Sequence, residues 1–217
     1  MSLAFIVGLA LTTLPALASS NNTPTIGNGD CWRGGTPFTC RVTWTGVNTF
    51  IYFRAIDQYS AAEPGWTSPV TAAVAAWNSA PGPQFYSFTP HSNDTWIYIV
   101  AAQTGQHGLT SSMVGLTWNC DRSGYCTDLN QAMDIYWSNV YLNQSTLNGQ
   151  AAAYVQNTAA HESGHAMGLY HNSSDSSSVM WPYETTVPGP DANDIGTYPG
   201  CSSSGAGIDC IYGFGDG

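Results

Sequence analysis

His161-Glu162-Ser163-Gly164-His165-Ala166-Met167-Gly168-Leu169-Tyr170-His171 gathers three histidines, a glutamate and two glycines into one short stretch. On a helix, His161 and His165 lie one turn apart and project from the same face, so both imidazoles reach one metal ion about 2 Å away. Glu162 is rotated away from that pair, too far round for a third ligand and well placed to meet a water on the metal. Gly168 decides where the third histidine goes. A helix continued past it would carry His171 off, whereas a glycine takes positive φ, ends the helix and turns the chain back. The spacing predicts His161, His165 and His171 as ligands of one catalytic Zn²⁺ and Glu162 as the base beside it. The plainer reading, ordinary helix residues, accounts for a lone histidine but not for this spacing.

Around this stretch, residues from about Gln150 to Met167 are expected to form the helix, with Ala151, Ala152, Ala153, Ala159 and Ala160 favouring it and allowing close packing on a sheet. Upstream, Phe50 to Ile56 reads as a strand rich in aromatic and β-branched residues. A helix follows, capped by Thr67 or Ser68, with Pro69 in its first turn and Val70, Ala73, Val74 and Trp77 at helical spacing before Pro81-Gly82-Pro83. Gln84 to Phe88, Thr95 to Val100, Val114 to Trp118, Ala132 to Trp137 and Val140 to Leu142 read as further strands, and Asp191 to Tyr198 as a short last helix. His91 and His107 stand alone and are expected to be surface or core residues.

The 217 residues suit one domain with a substantial core. Leu3 to Leu14 is an apolar run followed by a small-x-small signal at Ala16 and Ala18, which predicts a secretory signal peptide over residues 1–18, although a basic leading segment is missing. The expected organisation continues with an N-terminal extension over 19–47, a catalytic domain over 48–200 and a cysteine-containing tail over 201–217. The protein is expected to be secreted, extracellular and monomeric. Cys31, Cys40, Cys120, Cys126, Cys201 and Cys210 form three close pairs, and an even count in an exported chain argues for disulfides. Six cysteines allow fifteen pairings, of which local pairing is the simplest. The chain has no lysine and four arginines against fourteen acidic residues, for a net charge of −10. Nucleic acid and stable membrane association are excluded as expectations, because both favour clustered positive charge. Asn21, Asn93, Asn143 and Asn172 each begin an N-x-[ST] sequon.

The order of elements resembles the metzincin zinc endopeptidases, most closely the matrixin-like members, over roughly residues 48 to 198. The motif from His161 to His171 carries the resemblance, with Ser178-Val179-Met180-Trp181-Pro182, which looks like the methionine turn of that clan, and the matching order of the N-terminal strand, helix and strand. It implies an α+β zincin-like fold: a mixed twisted sheet with one antiparallel edge strand, an active-site helix and a small C-terminal subdomain after the zinc motif. It also implies that Met180 underlies the metal, that Val114, Gly115 and Leu116 bind extended substrate by strand addition, and that Trp181, Pro182 and Tyr183 border the pocket for the residue after the cleaved bond. The implied activity is hydrolysis of peptide bonds in proteins or peptides through a metal-activated water, without a covalent intermediate.

Several features depart from that family. The P-R-C-G switch segment of animal matrixins is absent. No His/Asp-rich structural-zinc segment or glycine-rich calcium loop is recognisable between His107 and Asp134, so a structural Ca²⁺ is compatible with the resemblance but has no assigned position. Tyr183 follows Pro182 directly, where the matrixin tyrosine comes one residue later. His171 stands where snapalysins use aspartate. Two other function classes stay open: a catalytically silent binding protein on the same scaffold, which has no need of Glu162, and a zinc amidase acting on cell wall.

Overall fold

The computed structural model describes residues 53–79, 86–87, 95–120, 123–127, 137–169, 171–173 and 175–195. Within them, β1 (Phe53–Gln58), β2 (Tyr86–Ser87), β3 (Thr95–Ala102), β4 (Gly115–Cys120), β5 (Cys126–Thr127) and β6 (Trp137–Asn143) form one sheet in the order β2-β1-β3-β6-β4-β5. β1 runs parallel to β2 and β3, and β3 parallel to β6, whereas β4 is antiparallel to β6 and to β5. The mixed sheet with an antiparallel strand near its edge is therefore present. The edge differs in one respect from expectation. β5 pairs with the far end of β4 at Asn119 and Cys120, so within the described residues only Gly115 to Trp118 of β4 remain open on that side.

Side-chain alternation makes the layers. In β6, Ser138, Val140 and Leu142 are buried while Trp137, Asn139 and Tyr141 are partly exposed, as one covered sheet face requires. The covered face receives α3 (Ala152–Ala166), and α1 (Thr67–Ser79) packs along α3. Val70, Val74 and Trp77 of α1, Ile97 and Ile99 of β3, Val140 and Leu142 of β6 and Ala159 and Ala160 of α3 share one core. The alanines of α3 let it approach both neighbours, and Trp77 Nε1 donates to the Ala160 carbonyl at 3.0 Å, fixing α1 next to the first motif histidine.

Local differences from the sequence reading have physical causes. Thr67, expected to cap α1, already has helical dihedrals (φ −55°, ψ −48°), because a 3-10 turn at Pro64–Trp66 leads straight into the helix. Trp137 and Val140 to Leu142, read as parts of two strands, belong to one strand, since pairing with β3 and β4 on its two sides carries it through Ser138 and Asn139. The Cys120 to Cys126 loop leads into β5 and is closed by a Cys120–Cys126 disulfide (S–S 2.03 Å), so this local pairing is present. A further short helix, α2 (Gln144–Leu147), is capped by Asn143, whose side-chain oxygen accepts from Ser145 N–H at 3.1 Å. The Asn143 amide also donates to the Thr110 and Met113 carbonyls at 3.1 and 2.7 Å and the residue is fully buried, so this sequon is closed to glycosylation.

On the other sheet face, Ala102, Leu109 and Leu116 form a small second cluster with Met113, Trp118 and Tyr141. His107 stacks on Tyr141 (ring centroids 4.2 Å apart, 9° between planes), a packing role in line with its isolation in sequence. After α3 the chain is irregular up to α4 (Ala192–Ile195). No helix among the described residues is long and apolar enough to cross a membrane. Residues 1–52 and 196–217 lie outside the described residues, and with them the signal segment, the N-terminal extension, the tail, the Cys31–Cys40 and Cys201–Cys210 pairs and two element ends, Phe50 to Tyr52 and Gly196 to Tyr198; Gln84, Phe85, Phe88, His91 and Ala132 to Tyr136 lie outside as well.

Candidate metal centre and active site

The C-terminus of α3 sets the site. Gly168 has φ 101° and donates to the His165 carbonyl at 3.0 Å, while Leu169 N–H reaches the Gly164 carbonyl at 2.9 Å. These two bonds close a helix with a left-handed residue, a conformation an L side chain adopts only under strain. The reversal has a direct use. It brings the Leu169 carbonyl to His165 Nδ1 at 2.7 Å, and it returns the chain so that His171 faces the two helical histidines.

A carbonyl oxygen only accepts, so the proton of His165 sits on Nδ1 and Nε2 carries a lone pair. His161 is held in the same way, its Nδ1 donating to the Val179 carbonyl at 2.7 Å. The Nε2 atoms of His165 and His171 are 3.2 Å apart and those of His171 and His161 3.1 Å, with all three residues buried. Three nitrogens bound to one tetrahedral zinc at about 2.05 Å lie about 3.3 Å from one another, so the donor set fits Zn²⁺. Protonation would place positive charges side by side in a dry site. Burial first, and the neighbouring His171 second, push the His161 imidazole down to about 3, against the opposing bond to Val179.

Glu162, which follows His161 in α3, is fully buried. Its Oε2 accepts from the Thr117 hydroxyl at 2.7 Å, while Oε1 is buried with no hydrogen-bond partner. Burial pushes the carboxyl up to about 8, and the Thr117 bond opposes that rise. An adjacent divalent cation favours the carboxylate instead. An acceptor left empty inside a polar site is suited to a water proton.

The methionine turn is fastened from two sides. Met180 is buried, its carbonyl accepts from Asn172 N–H at 2.8 Å, and Asp194 of α4 accepts from Val179 N–H and Asp191 N–H, both at 2.9 Å, and from the Ser178 hydroxyl. Burial raises the Asp194 carboxyl to about 6, the Ser178 bond chief among the contacts that oppose it. Sequence reading had assigned Asp194 no part here, nor Thr117, Asn119 or Gly164. Asn119 donates to the His165 carbonyl at 3.0 Å and accepts from Ser138 at 2.5 Å. The available signal was the alternation of Gly115, Thr117 and Asn119 in one strand, which places all three on the face turned to α3.

The segments assigned to substrate divide. Val114 is buried in the core and its carbonyl accepts from Asn143 N–H at 2.8 Å, so in the antiparallel ladder Val114 and Leu116 turn their backbone groups towards β6. Gly115 and Thr117 turn theirs to the open edge. Of the residues after Met180, Trp181 and Tyr183 form a tilted aromatic pair at 5.7 Å, Tyr183 being 57% exposed and Pro182 partly so.

A mixed sheet backed by a helix that carries two of three converging imidazoles is the arrangement of a zinc metalloprotease centre. The chain belongs to the matrixin family, whose family model matches residues 55–195. That membership implies the metzincin fold and the use of zinc. No curated protein matches the chain.

Proposed function

We propose that the protein is a secreted zinc endopeptidase that cleaves peptide bonds in proteins, acting as a monomer. The carrying observation is the trio of imidazoles with Nδ1 pinned and Nε2 atoms 3.1 to 3.2 Å apart, next to a glutamate with one buried oxygen lacking a donor. His161, His165 and His171 would hold the ion. Zn²⁺ bound there would supply Lewis-acid polarisation of a peptide carbonyl and would acidify a water into the neutral range.

Glu162 takes a proton from the attacking water at Oε1 and returns it to the leaving amine, so no acyl-enzyme is needed. The backbone groups of Gly115 and Thr117 receive an extended substrate by strand addition, and Trp181, Pro182 and Tyr183 border the pocket for the residue after the cleaved bond. Secretion is supported by the leading apolar run and by the Cys120–Cys126 disulfide, which suits an oxidising compartment.

Purified protein incubated with casein and a peptide library is expected to release internal cleavage products, to stop on chelation and to recover with Zn²⁺. A zinc-loaded protein that cleaves no peptide, or that releases fragments from peptidoglycan alone, would overturn the proposal.

A further inference from the structure

Gly115 and Thr117 stand two residues apart on β4 and face the same side, and between them they meet every part of the Glu162 side chain beyond Cβ. A Cβ placed on Gly115 would lie 2.7 Å from Glu162 Cγ, 2.8 Å from Oε1 and 3.0 Å from Cδ, so any larger residue there would push the Glu162 side chain aside. The absent side chain of Gly115 therefore leaves the slot in which the Glu162 side chain lies. Two residues on, the Thr117 hydroxyl is 2.7 Å from Glu162 Oε2 and 2.9 Å from the Glu162 backbone carbonyl. A hydroxyl has one hydrogen to give. The shorter approach and the charge of a carboxylate favour Oε2 as its acceptor.

We propose that Thr117 is a positioning residue for the proposed base: its hydroxyl holds Oε2 so that the slot beside Gly115 presents Oε1, and only Oε1, to the nucleophilic water. The inference rests on the reading of Glu162 as the base. A glutamate side chain has three rotatable bonds, and a general base acts only within hydrogen-bond reach of the proton it takes. Thr117 is suited to the task because its branched side chain is stiff about χ1 and sits on a paired strand, not on a loop. Threonine is not required there for packing alone. A valine of the same shape would fill the space and offer no donor.

The test compares the zinc-loaded wild type with Thr117→Val and Thr117→Ser. Thr117→Val is expected to lower kcat about 10- to 100-fold, the range for losing one hydrogen bond to a charged group, with KM and zinc content within about twofold of wild type. Thr117→Ser keeps the hydroxyl and is expected to restore kcat to within about threefold. Crystal structures of the three proteins give a readout independent of turnover: Glu162 is expected in one rotamer in wild type and Thr117→Ser, and in more than one in Thr117→Val. Unchanged kcat with an unmoved carboxylate in Thr117→Val would overturn the proposal, as would a Thr117→Ser variant as impaired as the valine. A zinc-loaded wild type without peptidase activity sinks the endopeptidase reading alone, since the rotamer comparison still decides what Thr117 does.

Discussion

Gly164 and Met180 compete for the same space: a Cβ on Gly164 would collide with Met180 Sδ and come within 3.1 Å of the Trp77 ring. The glycine inside the zinc motif is thus fixed by the methionine turn packed against it and by α1 behind. Gly164→Ala is expected to destabilise the fold by about 1–3 kcal/mol, the usual cost of overpacking. In a Met180→Ala background the collision with the thioether is removed and only the 3.1 Å approach to Trp77 remains. A double-mutant cycle by thermal unfolding should return a coupling that is the larger part of the Gly164→Ala effect, and additive losses would refute the contact.

Glu162→Gln keeps the volume and the Thr117 contact but removes the proposed base. Zinc content should match wild type by metal analysis, while kcat falls about 10²- to 10⁴-fold, the range expected for general acid–base catalysis. Full turnover in a zinc-loaded variant would remove Glu162 from the mechanism.

Asp194 fastens the turn whose Val179 carbonyl orients His161, so its loss is expected to act on the metal at a distance. Asp194→Ala leaves the Val179 and Asp191 N–H groups without their acceptor, at a cost of about 2–3 kcal/mol. Competition with a chromophoric chelator should show zinc affinity weakened about 10- to 100-fold, as for other groups that support a ligating histidine. An unchanged affinity would mean the turn holds its shape without Asp194.

Glu184 has both carboxylate oxygens buried and unpartnered, and burial pushes it up to about 7 from the ordinary 4.5. A carboxyl whose value is raised on folding contributes stability that is present below the unfolded value and is lost as pH rises through the folded one. Glu184→Gln should therefore match wild type in melting temperature near pH 4 and exceed it above about pH 7. Equal melting temperatures at pH 8 would show that the charge finds a partner.

The converging histidines His161, His165 and His171, the buried Glu162 beside them in sequence and the helix-ending Gly168 were legible in sequence because they depend on local geometry: a 3.6-residue period and a positive φ are properties of a short segment. The helices α1 and α3 were legible for the same reason, from periodicity and small residues. Hidden were contacts between segments far apart in the chain. Thr117 reaches Glu162 across 45 residues, Trp77 reaches Ala160 across 83, and no spacing rule connects them. The single strand β6 was obscured because Ser138 and Asn139 look like a break until strands on both sides bond its backbone. Sequence by itself determined which residues carry the imidazoles and the carboxylate a zinc site needs at the right spacing, since that is set by side-chain chemistry and helical geometry. Tertiary structure alone decided how those groups are aimed, because imidazole tautomers and carboxylate rotamers are fixed by carbonyls and hydroxyls that only the packed sheet, helix and methionine turn bring within hydrogen-bond reach.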